Sequence, residues 1–483
     1  MGVWSRKSIE LMRQEAHGGD NPALKRSLGV LDLTSFGVGN TIGAGILVLT
    51  GTVAAQNAGP AVTLCFILAS LACFFAGLCY AEFAAMVPVA GSAYSYAYAT
   101  FGELLAWLIG WNVMFEYLFS ASVVAVSWSG YTTSFLADHG IHLPAYLTNA
   151  PLIAADGHHL TFSGAWINLP AVLVTLACTG LLLFGIRRSA TVNTLIVVAN
   201  CVAIMVLVAA CAAYVHPSNW QPFIPPNTGV AGSFGWSGVL RGAGVVFFAY
   251  IGFDGVSTLA EEARDPQRTM PLSLFYSLAI CTALYVGVSL AVTGIADYRL
   301  LDVPDPVYHA LGLAHADFGW LKLMVAMVAI GGMVPVILGS LLGQVRIFFA
   351  MGRDGLLPPG LSRCNERYNT PHIGTLVTGG IAALIAGIAP LDVLAQLISI
   401  GTLLAFAFVC FGIIWLRRRH PELHRPFRTP WVPLVPALGA LCCLGLMAGL
   451  GGPTWKRLGI WVALGLAIYV FYGRHHSRLR DKA

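Results

Sequence analysis

Apolar stretches of about 20 residues recur along the whole chain and alternate with short polar segments. A helix that rises 1.5 Å per residue needs about this length to cross a hydrocarbon layer roughly 30 Å thick. No soluble domain fits between these stretches. The pattern predicts an all-α membrane protein with twelve transmembrane helices, near residues 31–54, 60–85, 103–134, 165–185, 190–214, 237–261, 271–297, 317–351, 373–389, 391–416, 432–451 and 455–473.

The composition excludes a water-soluble globular protein. Of the 483 residues, 57% are hydrophobic and 10% are charged, whereas roughly a quarter of the residues are charged in soluble domains. No HExxH, GxSxG, P-loop or paired catalytic motif stands out in a span, so we expect no enzyme, no cofactor and no metal ion. A channel would need a filter or a ring of charges along an open pore.

The positive charges predict the orientation in the membrane, because cytoplasmic loops are enriched in Lys and Arg. With the N-terminus inside and an even number of spans, all but five of the 27 Lys and Arg residues lie on the inner side. We therefore expect a multi-pass protein of the cell membrane with both termini in the cytoplasm. The net charge of +5 follows from this topology and requires no nucleic-acid partner. The five exceptions, all near outer ends, are Arg241, Arg299, Lys322, Lys456 and Arg457.

Glycines interrupt the first and the sixth predicted helix, which contain GVGNTIGAGILVLTG and GAGVVFFAYIGFDG. Small residues also allow close helix packing, and we interpret Gly37 and Gly242 in that way. Residues 43–45 and Gly252 instead lie near mid-membrane beside polar residues, where backbone leaves the helix only inside protein or along a wet cavity. Two broken helices five spans apart predict an inverted repeat of five plus five helices.

Five long motifs follow one another along the chain: GVGNTIGAGILVLTG, YAEFAAMVPVAGSAYSYAYATFGEL, FFAYIGFDGVSTLAEEARDPQRTMP, QVRIFFAMGRDGLLP and HRPFRTPWVPLVP. In this order they resemble the cationic amino acid transporter family of the amino acid–polyamine–organocation superfamily. The resemblance runs from about Leu28 to the C-terminus. It implies an amino acid transporter that works by alternating access in the lipid bilayer.

The resemblance and the glycine pattern together predict a LeuT-like arrangement of five plus five helices, with the first and sixth helices broken, followed by two further helices. The predicted parts are a cytoplasmic segment at 1–30, a first repeat at 31–214, a second repeat at 237–416, helices 11 and 12 at 432–473, and a cytoplasmic tail at 474–483.

An amino acid brings a carboxylate and an ammonium into the membrane, and the protein must replace the water that both groups lose. Helix breaks do this without buried counter-charges, since freed N–H groups suit an anion and freed carbonyls suit a cation. The resemblance implies that amides of the first break bind the carboxylate and carbonyls of both breaks bind the ammonium. The implied residues are Thr41, Ile42, Gly43, Ala44 and Gly45 in the first break, and Phe248, Ala249 and Ile251 in the second.

Glu116 and Asp254 lie well inside predicted spans, where a bare carboxylate is costly. Glu116, in WNVMFEYLF, has two interpretations: it faces the substrate or a water path, or it joins helices by hydrogen bonding. Asp254 follows the break in the sixth helix, and we expect it to accept hydrogen bonds from amides freed there.

Two departures from bacterial relatives favour a cationic substrate without proton coupling. Many proton-coupled members of the superfamily that this chain resembles carry a Lys in the fifth helix, and Asn200 stands at that place. Ser340 in the eighth helix replaces the bulky apolar residue of relatives that take small apolar substrates, and it leaves room for a longer polar side chain. Serine on a helix face is also ordinary packing material. We expect facilitated or exchange transport of arginine, lysine or a broad range of amino acids.

Two other functions stay open. A proton-coupled symporter of small neutral amino acids would have protons as a second partner and would need a group other than Asn200 to carry them. An amino acid sensor on the same fold would bind its ligand without moving it across the membrane.

The orientation is testable with introduced cysteines. A cysteine at Asp156 should react with a membrane-impermeant thiol reagent added outside intact cells, and a cysteine at Asn365 should not, because the first lies in a predicted outer loop and the second in an inner one. The measurement is the mass shift of the labelled protein. The opposite pattern would contradict the assignment made from the positive charges.

Overall fold

The computed structural model describes residue 7 and residues 28–87, 92–155, 159–183, 190–314, 318–362 and 371–477. Most of the predicted cytoplasmic segment 1–30 and the tail beyond residue 477 therefore lie outside the described residues. The same is true of the two positions of the labelling experiment, Asp156 and Asn365.

The described part of the chain is mostly helical, and each of the twelve predicted stretches contains helix. The helices are α1 (Val30–Thr41), α2 (Thr50–Val53), α3 (Val62–Met86), α4 (Ser92–Thr100), α5 (Glu103–Asp138), α6 (Ala145–Thr148), α7 (Leu169–Leu183), α8 (Ala190–Ala212), α9 (Gly235–Val246), α10 (Pro266–Ile295), α11 (Pro306–Leu313), α12 (Gly319–Arg353), α13 (His372–Ile388), α14 (Leu391–Arg419), α15 (Leu434–Gly449), α16 (Gly452–Ile468) and α17 (Arg474–His476).

Eight helical segments of the described chain are long and apolar enough to cross a membrane by length and composition. Three shorter apolar helices, α7, α13 and α15, accompany them. A hairpin of two antiparallel strands, β1 (Leu152–Ala155) and β2 (His159–Phe162), lies between α6 and α7. The structure is thus an all-α membrane protein, and the exact count of twelve spans stays a prediction.

The first predicted span is broken, as the glycines indicated. Helix α1 ends at Thr41, and Ile42 has an extended ψ of 101°. Helical structure resumes around Ala44 with a π-helical turn, Gly45–Leu49, which leads into α2. The chain leaves the helix for only about two residues. At this break the part before it ends and the part after it begins, so backbone groups on both sides lack partners within their own helix.

The second break lies in the sixth predicted span. Helix α9 tightens into a 3₁₀ turn at Phe247–Tyr250, Ile251 is extended, and a further 3₁₀ segment begins at Asp254. Gly252 has φ +108°, a conformation that side chains with a Cβ rarely adopt. The glycine therefore permits this break directly. The prediction that helices 1 and 6 are broken is confirmed.

Other glycines of these segments serve close packing. A Cβ built on Gly37 would lie 2.4 Å from Ser277 Oγ of α10, and one built on Gly242 would lie 2.8 Å from Cys65 Sγ of α3. The packing interpretation of both residues is confirmed. Gly45 is packed in the same manner, since its Cβ would lie 2.3 Å from the Cα of Ala249. The two broken helices thus touch backbone to backbone at Gly45.

The remaining long helices enclose the breaks. Helix α5 packs along α12 and α14, and α10 packs along α3 and α1. Helix α15 lies against α3 and α14, whereas α16 lies against α5 and α14. The hydroxyl of Tyr131 in α5 donates a 2.8 Å hydrogen bond to the carbonyl of Leu47, which ties the π-helical turn after the first break to this surrounding shell.

The packing distances distinguish two neighbouring glycines. We expect Gly45→Ala to lower the melting temperature, because its Cβ meets the backbone of Ala249, and overpacking of this kind costs about 1–3 kcal/mol. Gly43→Ala should leave the melting temperature nearly unchanged, because its Cβ would lie 3.4 Å from Val336 Cγ2, an ordinary contact. Thermal unfolding in detergent measures both. Equal melting temperatures in the two variants would contradict the backbone contact at Gly45.

Candidate functional site

Asn40, the residue before the last of α1, bridges the two breaks. Its Nδ2 donates a 3.4 Å hydrogen bond to the carbonyl of Gly252. Its side chain also occupies the space beside Gly339 of α12, where a built Cβ would lie 2.6 Å from Asn40 Oδ1. One amide side chain therefore joins the first break, the second break and α12.

Tyr285 of α10 makes a second bridge between the breaks. Its hydroxyl oxygen lies 2.9 Å from the carbonyl oxygen of Thr41 and 2.7 Å from that of Ala249. A tyrosine hydroxyl has one proton and donates it to one of these carbonyls at a time. The other carbonyl then keeps a lone pair without a proton. Tyr285 was not predicted from the sequence, because a tyrosine in an apolar span gives no signal of its own.

The ring of Tyr285 is fixed by aromatic neighbours. Its centroid lies 5.4 Å from that of Phe66 and 5.1 Å from that of Tyr250. The Tyr250 hydroxyl donates to the carbonyl of Phe66 at 3.0 Å. All three side chains are buried or nearly so. The position of the Tyr285 hydroxyl is therefore set by packing in α3, α10 and the second break.

The amides predicted to bind the carboxylate begin the helical part that follows the first break. First amides of a helix have no partner within it, and in the described part of the chain none of the three donates to a backbone carbonyl outside its helix. They are the amides of Gly43, Ala44 and Gly45. The Cα positions differ in their surroundings, since Gly43 faces Val336 of α12 and Gly45 faces Ala249.

The carbonyls predicted to bind the ammonium lie at or beside the breaks, and three of them are already in contact with donors. The carbonyl of Phe248 accepts a 3.0 Å bond from the amide of Ile251. Those of Thr41 and Ala249 meet the Tyr285 hydroxyl. A carbonyl oxygen has two lone pairs, so each can accept a second donor. The two breaks thus bring amide donors and carbonyl acceptors together within one buried region.

Glu116 of α5 faces Thr402 of α14 and lies within electrostatic range of Asp254 of the second break. Both residues are almost fully buried, with 3% and 4% of their surface exposed. Asp254 faces the amides of Gly252 and Gly255, as expected for a residue that satisfies a helix break. Within the described residues, one oxygen of each carboxyl group, Glu116 Oε1 and Asp254 Oδ1, has no hydrogen-bond partner.

Ser340 belongs to α12, and Asn200 of α8 faces α12 at a different height along that helix. Ser340 is buried, one helical turn after Val336, which contacts Gly43. Asn200 of α8 faces Gly332, where a built Cβ would lie 2.7 Å from its Nδ2. Eight residues separate Gly332 from Ser340, which is about 12 Å along a helix. The structure therefore places Ser340 near the first break and Asn200 farther along α12.

Known proteins are similar to this chain along almost its whole length. Residues 28–473 match the amino acid permease family. The chain is 44% identical over 480 residues to the branched-chain amino acid permease BcaP of Bacillus subtilis (strain 168), and 43% identical over 477 residues to the methylthioribose transporter of the same organism; each alignment covers 99% of both chains.

A eukaryotic relative is also similar along most of its length. Cationic amino acid transporter 4 of Homo sapiens is 38% identical over 579 aligned positions, which cover 94% of this chain and 88% of the relative. The named relatives are permeases and transporters, and none is named as an enzyme. The match over residues 28–473 and the full-length relatives show that the chain belongs to the amino acid permease family of the amino acid–polyamine–organocation superfamily, a family of multi-pass membrane transporters.

Proposed function

We propose that the protein carries α-amino acids across the cell membrane by alternating access, with the zwitterionic part of the substrate bound between the two helix breaks. The carboxylate binds the amides of Gly43, Ala44 and Gly45, and the ammonium binds carbonyls of Thr41, Phe248, Ala249 and Ile251. The observation that carries the proposal is the contact of the two breaks at Gly45 and Ala249. It brings amides without a backbone partner and carbonyls with a spare lone pair close enough for one small ligand to reach both.

We place these breaks in a LeuT-like arrangement. Residues 31–214 and 237–416 form two inverted repeats of five helices, residues 432–473 form helices 11 and 12, and both termini are cytoplasmic. Support comes from the breaks in the first and sixth spans, at corresponding positions of the two halves. Alternating access then follows from movement of one group of helices against the other around a fixed site.

For the substrate side chain we favour arginine or lysine. Glu116 Oε1 and Asp254 Oδ1 are buried oxygens without a partner among the described residues, and a buried cationic group is the chemistry that satisfies them. Ser340 adds a small polar wall on α12. Asn200 carries no titratable proton, so we propose facilitated or exchange transport, since the membrane potential alone concentrates a cation by about 2.3 kcal/mol per 100 mV.

A branched-chain amino acid is the second candidate substrate. It is favoured by the name of BcaP, which is 44% identical to this chain. Val336, which contacts Gly43, would suit an apolar side chain. In that case Glu116 and Asp254 would serve helix packing or carry a coupling proton. The name of the methylthioribose transporter makes that sugar a third compound for the same measurement.

Uptake into liposomes distinguishes these substrates. Purified protein should take up labelled arginine in response to a negative interior potential, and an imposed inward proton gradient should add little. Leucine, alanine and methylthioribose are measured in parallel vesicles. Leucine uptake that rises steeply as the outside pH falls, without arginine uptake, would contradict the cationic uncoupled proposal. Arginine binding without uptake would favour the sensor.

Two variants test the side-chain pocket in the same assay. Glu116→Gln should raise the KM for arginine by about tenfold or more, because a charge-assisted hydrogen bond is worth roughly 1.5–3 kcal/mol, and should change the KM for alanine little. Ser340→Met should shift the preference towards small neutral amino acids by filling the space beside the first break. Equal changes for arginine and alanine in Glu116→Gln would show that Glu116 has only a packing role.

The Tyr285 bridge gives a sharper prediction about the site itself. Tyr285→Phe keeps the aromatic packing and removes the hydroxyl that contacts the Thr41 and Ala249 carbonyls. We expect uptake of every substrate to fall by about fivefold to tenfold, since one hydrogen bond contributes about 1 kcal/mol. Tyr250→Phe, which removes a hydroxyl bonded to Phe66 outside the breaks, is the matched control. Equal losses in both variants would assign Tyr285 to packing alone.

A further inference from the structure

Two of the five long sequence motifs meet in a buried ionic cluster far from the helix breaks in sequence. Glu82 stands in YAEF at the end of α3, and the motif HRPFRTP supplies Arg425 and Thr429 in the segment that enters α15. Arg417, at the end of α14, is the fourth member. We call these four residues the Glu82 cluster. The transport site described above uses none of them.

Both oxygens of the Glu82 carboxylate are bound by donors. Arg417 donates from Nε to Oε1 at 3.1 Å and from Nη2 to Oε2 at 2.7 Å. The Thr429 amide donates to Oε2 at 2.7 Å. Arg425 Nε lies 3.3 Å from Oε1. Glu82 has no exposed surface. Its carboxylate, at the end of α3, is bound by groups from the end of α14 and from the segment that follows it.

The arginines also fix the backbone that carries them. The Arg425 guanidinium donates four bonds to carbonyls, those of Leu416, His420, Pro421 and Leu423. Arg417 Nη2 donates to the carbonyl of Thr429 at 2.9 Å. The carbonyls of the loop between α14 and α15 therefore surround the Arg425 guanidinium. If this loop moved away from α3, the buried Glu82 carboxylate would lose its hydrogen-bond donors.

A direct contact ties the loop to α3 as well. The Thr429 hydroxyl donates to the carbonyl of Leu78 at 3.0 Å. Farther into the membrane, a Cβ built on Gly439 of α15 would lie 2.8 Å from Cys410 Sγ of α14 and 3.2 Å from the Cβ of Phe75 of α3. Helices α3, α14 and α15 are thus in close contact at two levels, one ionic and one apolar.

We propose that the Glu82 cluster is a fixed joint that keeps the ends of α3 and α14 and the start of α15 together throughout the transport cycle. The inference rests on the proposed alternating access. It assigns a role to α15, which lies outside the repeat: the helix braces α3 against α14. The substrate path at the end of the protein that carries the Glu82 cluster then opens between other helices, and not between α3, α14 and α15.

A disulfide between α3 and α15 tests the joint. Phe75→Cys and Gly439→Cys place two Cβ atoms about 3.2 Å apart, slightly below the 3.5–4.5 Å of ordinary disulfides. Cys410→Ala in the background removes the nearby native sulfur. Copper phenanthroline oxidises the pair, a reducing agent reopens it, and mass spectrometry of linked peptides verifies the bond. The two single-cysteine variants are controls.

We expect the cross-linked protein to keep the uptake rate of its reduced form. Glu82→Gln should lower uptake by about fivefold or more, because it leaves two arginines without their counter-charge. Glu422→Gln should not lower uptake, because Glu422 lies in the same loop but is 65% exposed at the side chain and pairs with His420 at the surface. In the Glu82→Gln protein, the disulfide should restore at least half of the lost uptake.

Several results would overturn the joint. Uptake that stops on oxidation and returns on reduction would show that α3 and α15 separate during transport, which makes the cluster a gate. Full uptake in Glu82→Gln, or no recovery with the disulfide in place, would show that holding these helices together is not what the cluster does.

A measurement without flux separates this inference from the proposed function. Phe74 and Leu441, which are 43% and 64% exposed, are each replaced by a ketone-bearing amino acid that carries a nitroxide label. The pair of labels reports the distance between α3 and α15. One narrow distance distribution, unchanged by amino acids and broadened in Glu82→Gln, supports the joint even if the unmodified protein transports none of the amino acids offered. Two distances in the unmodified protein would exclude it.

Discussion

The cost of an unpaired peptide group inside a membrane governs this structure. Each free N–H or C=O in hydrocarbon costs several kcal/mol, so a span departs from helix only where protein supplies other partners. Two spans of this chain do depart from it, at Ile42 and at Ile251–Gly252. The surrounding helices supply the partners: Asn40 reaches across to Gly252, and Tyr285 reaches both breaks from α10. These contacts hold the backbone of the two breaks, on which the proposed site is built.

Glycine has two separate roles in the arrangement. Gly252 provides a backbone conformation with positive φ, whereas Gly45 provides the absence of a side chain where two backbones touch. Gly43 has neither constraint to the same degree, since a Cβ there meets only the Val336 side chain at an ordinary distance. A local sequence such as GAG therefore contains residues that are required for different physical reasons, and only the three-dimensional contacts separate them.

Much of the fold was predictable from the sequence, because apolar length, charge distribution and glycine interruptions are local signals. Both breaks and the packing roles of Gly37 and Gly242 were found in this way. Tyr285 and the partners of Glu82 were not, because their chemistry depends on contacts between residues hundreds of positions apart, such as Glu82 with Arg417. A tyrosine in an apolar helix and an arginine at a helix end are each ordinary in sequence. The motifs YAEF and HRPFRTP were visible, but not their meeting point.

The shared proton of Tyr285 has a consequence for a carrier that has released its cargo. Closing an empty site would normally bury bare carbonyl oxygens without water or ligand, and that desolvation opposes the closed form. Here one hydroxyl already contacts two carbonyl oxygens of the proposed site, so an unloaded protein that works by the proposed mechanism would close over a partly satisfied site. A smaller penalty for closing empty is the physical condition for one-way movement, whereas a carrier that cannot close empty must trade one molecule for another. In the proposed carrier, the Tyr285 hydroxyl would therefore favour one-way movement over exchange.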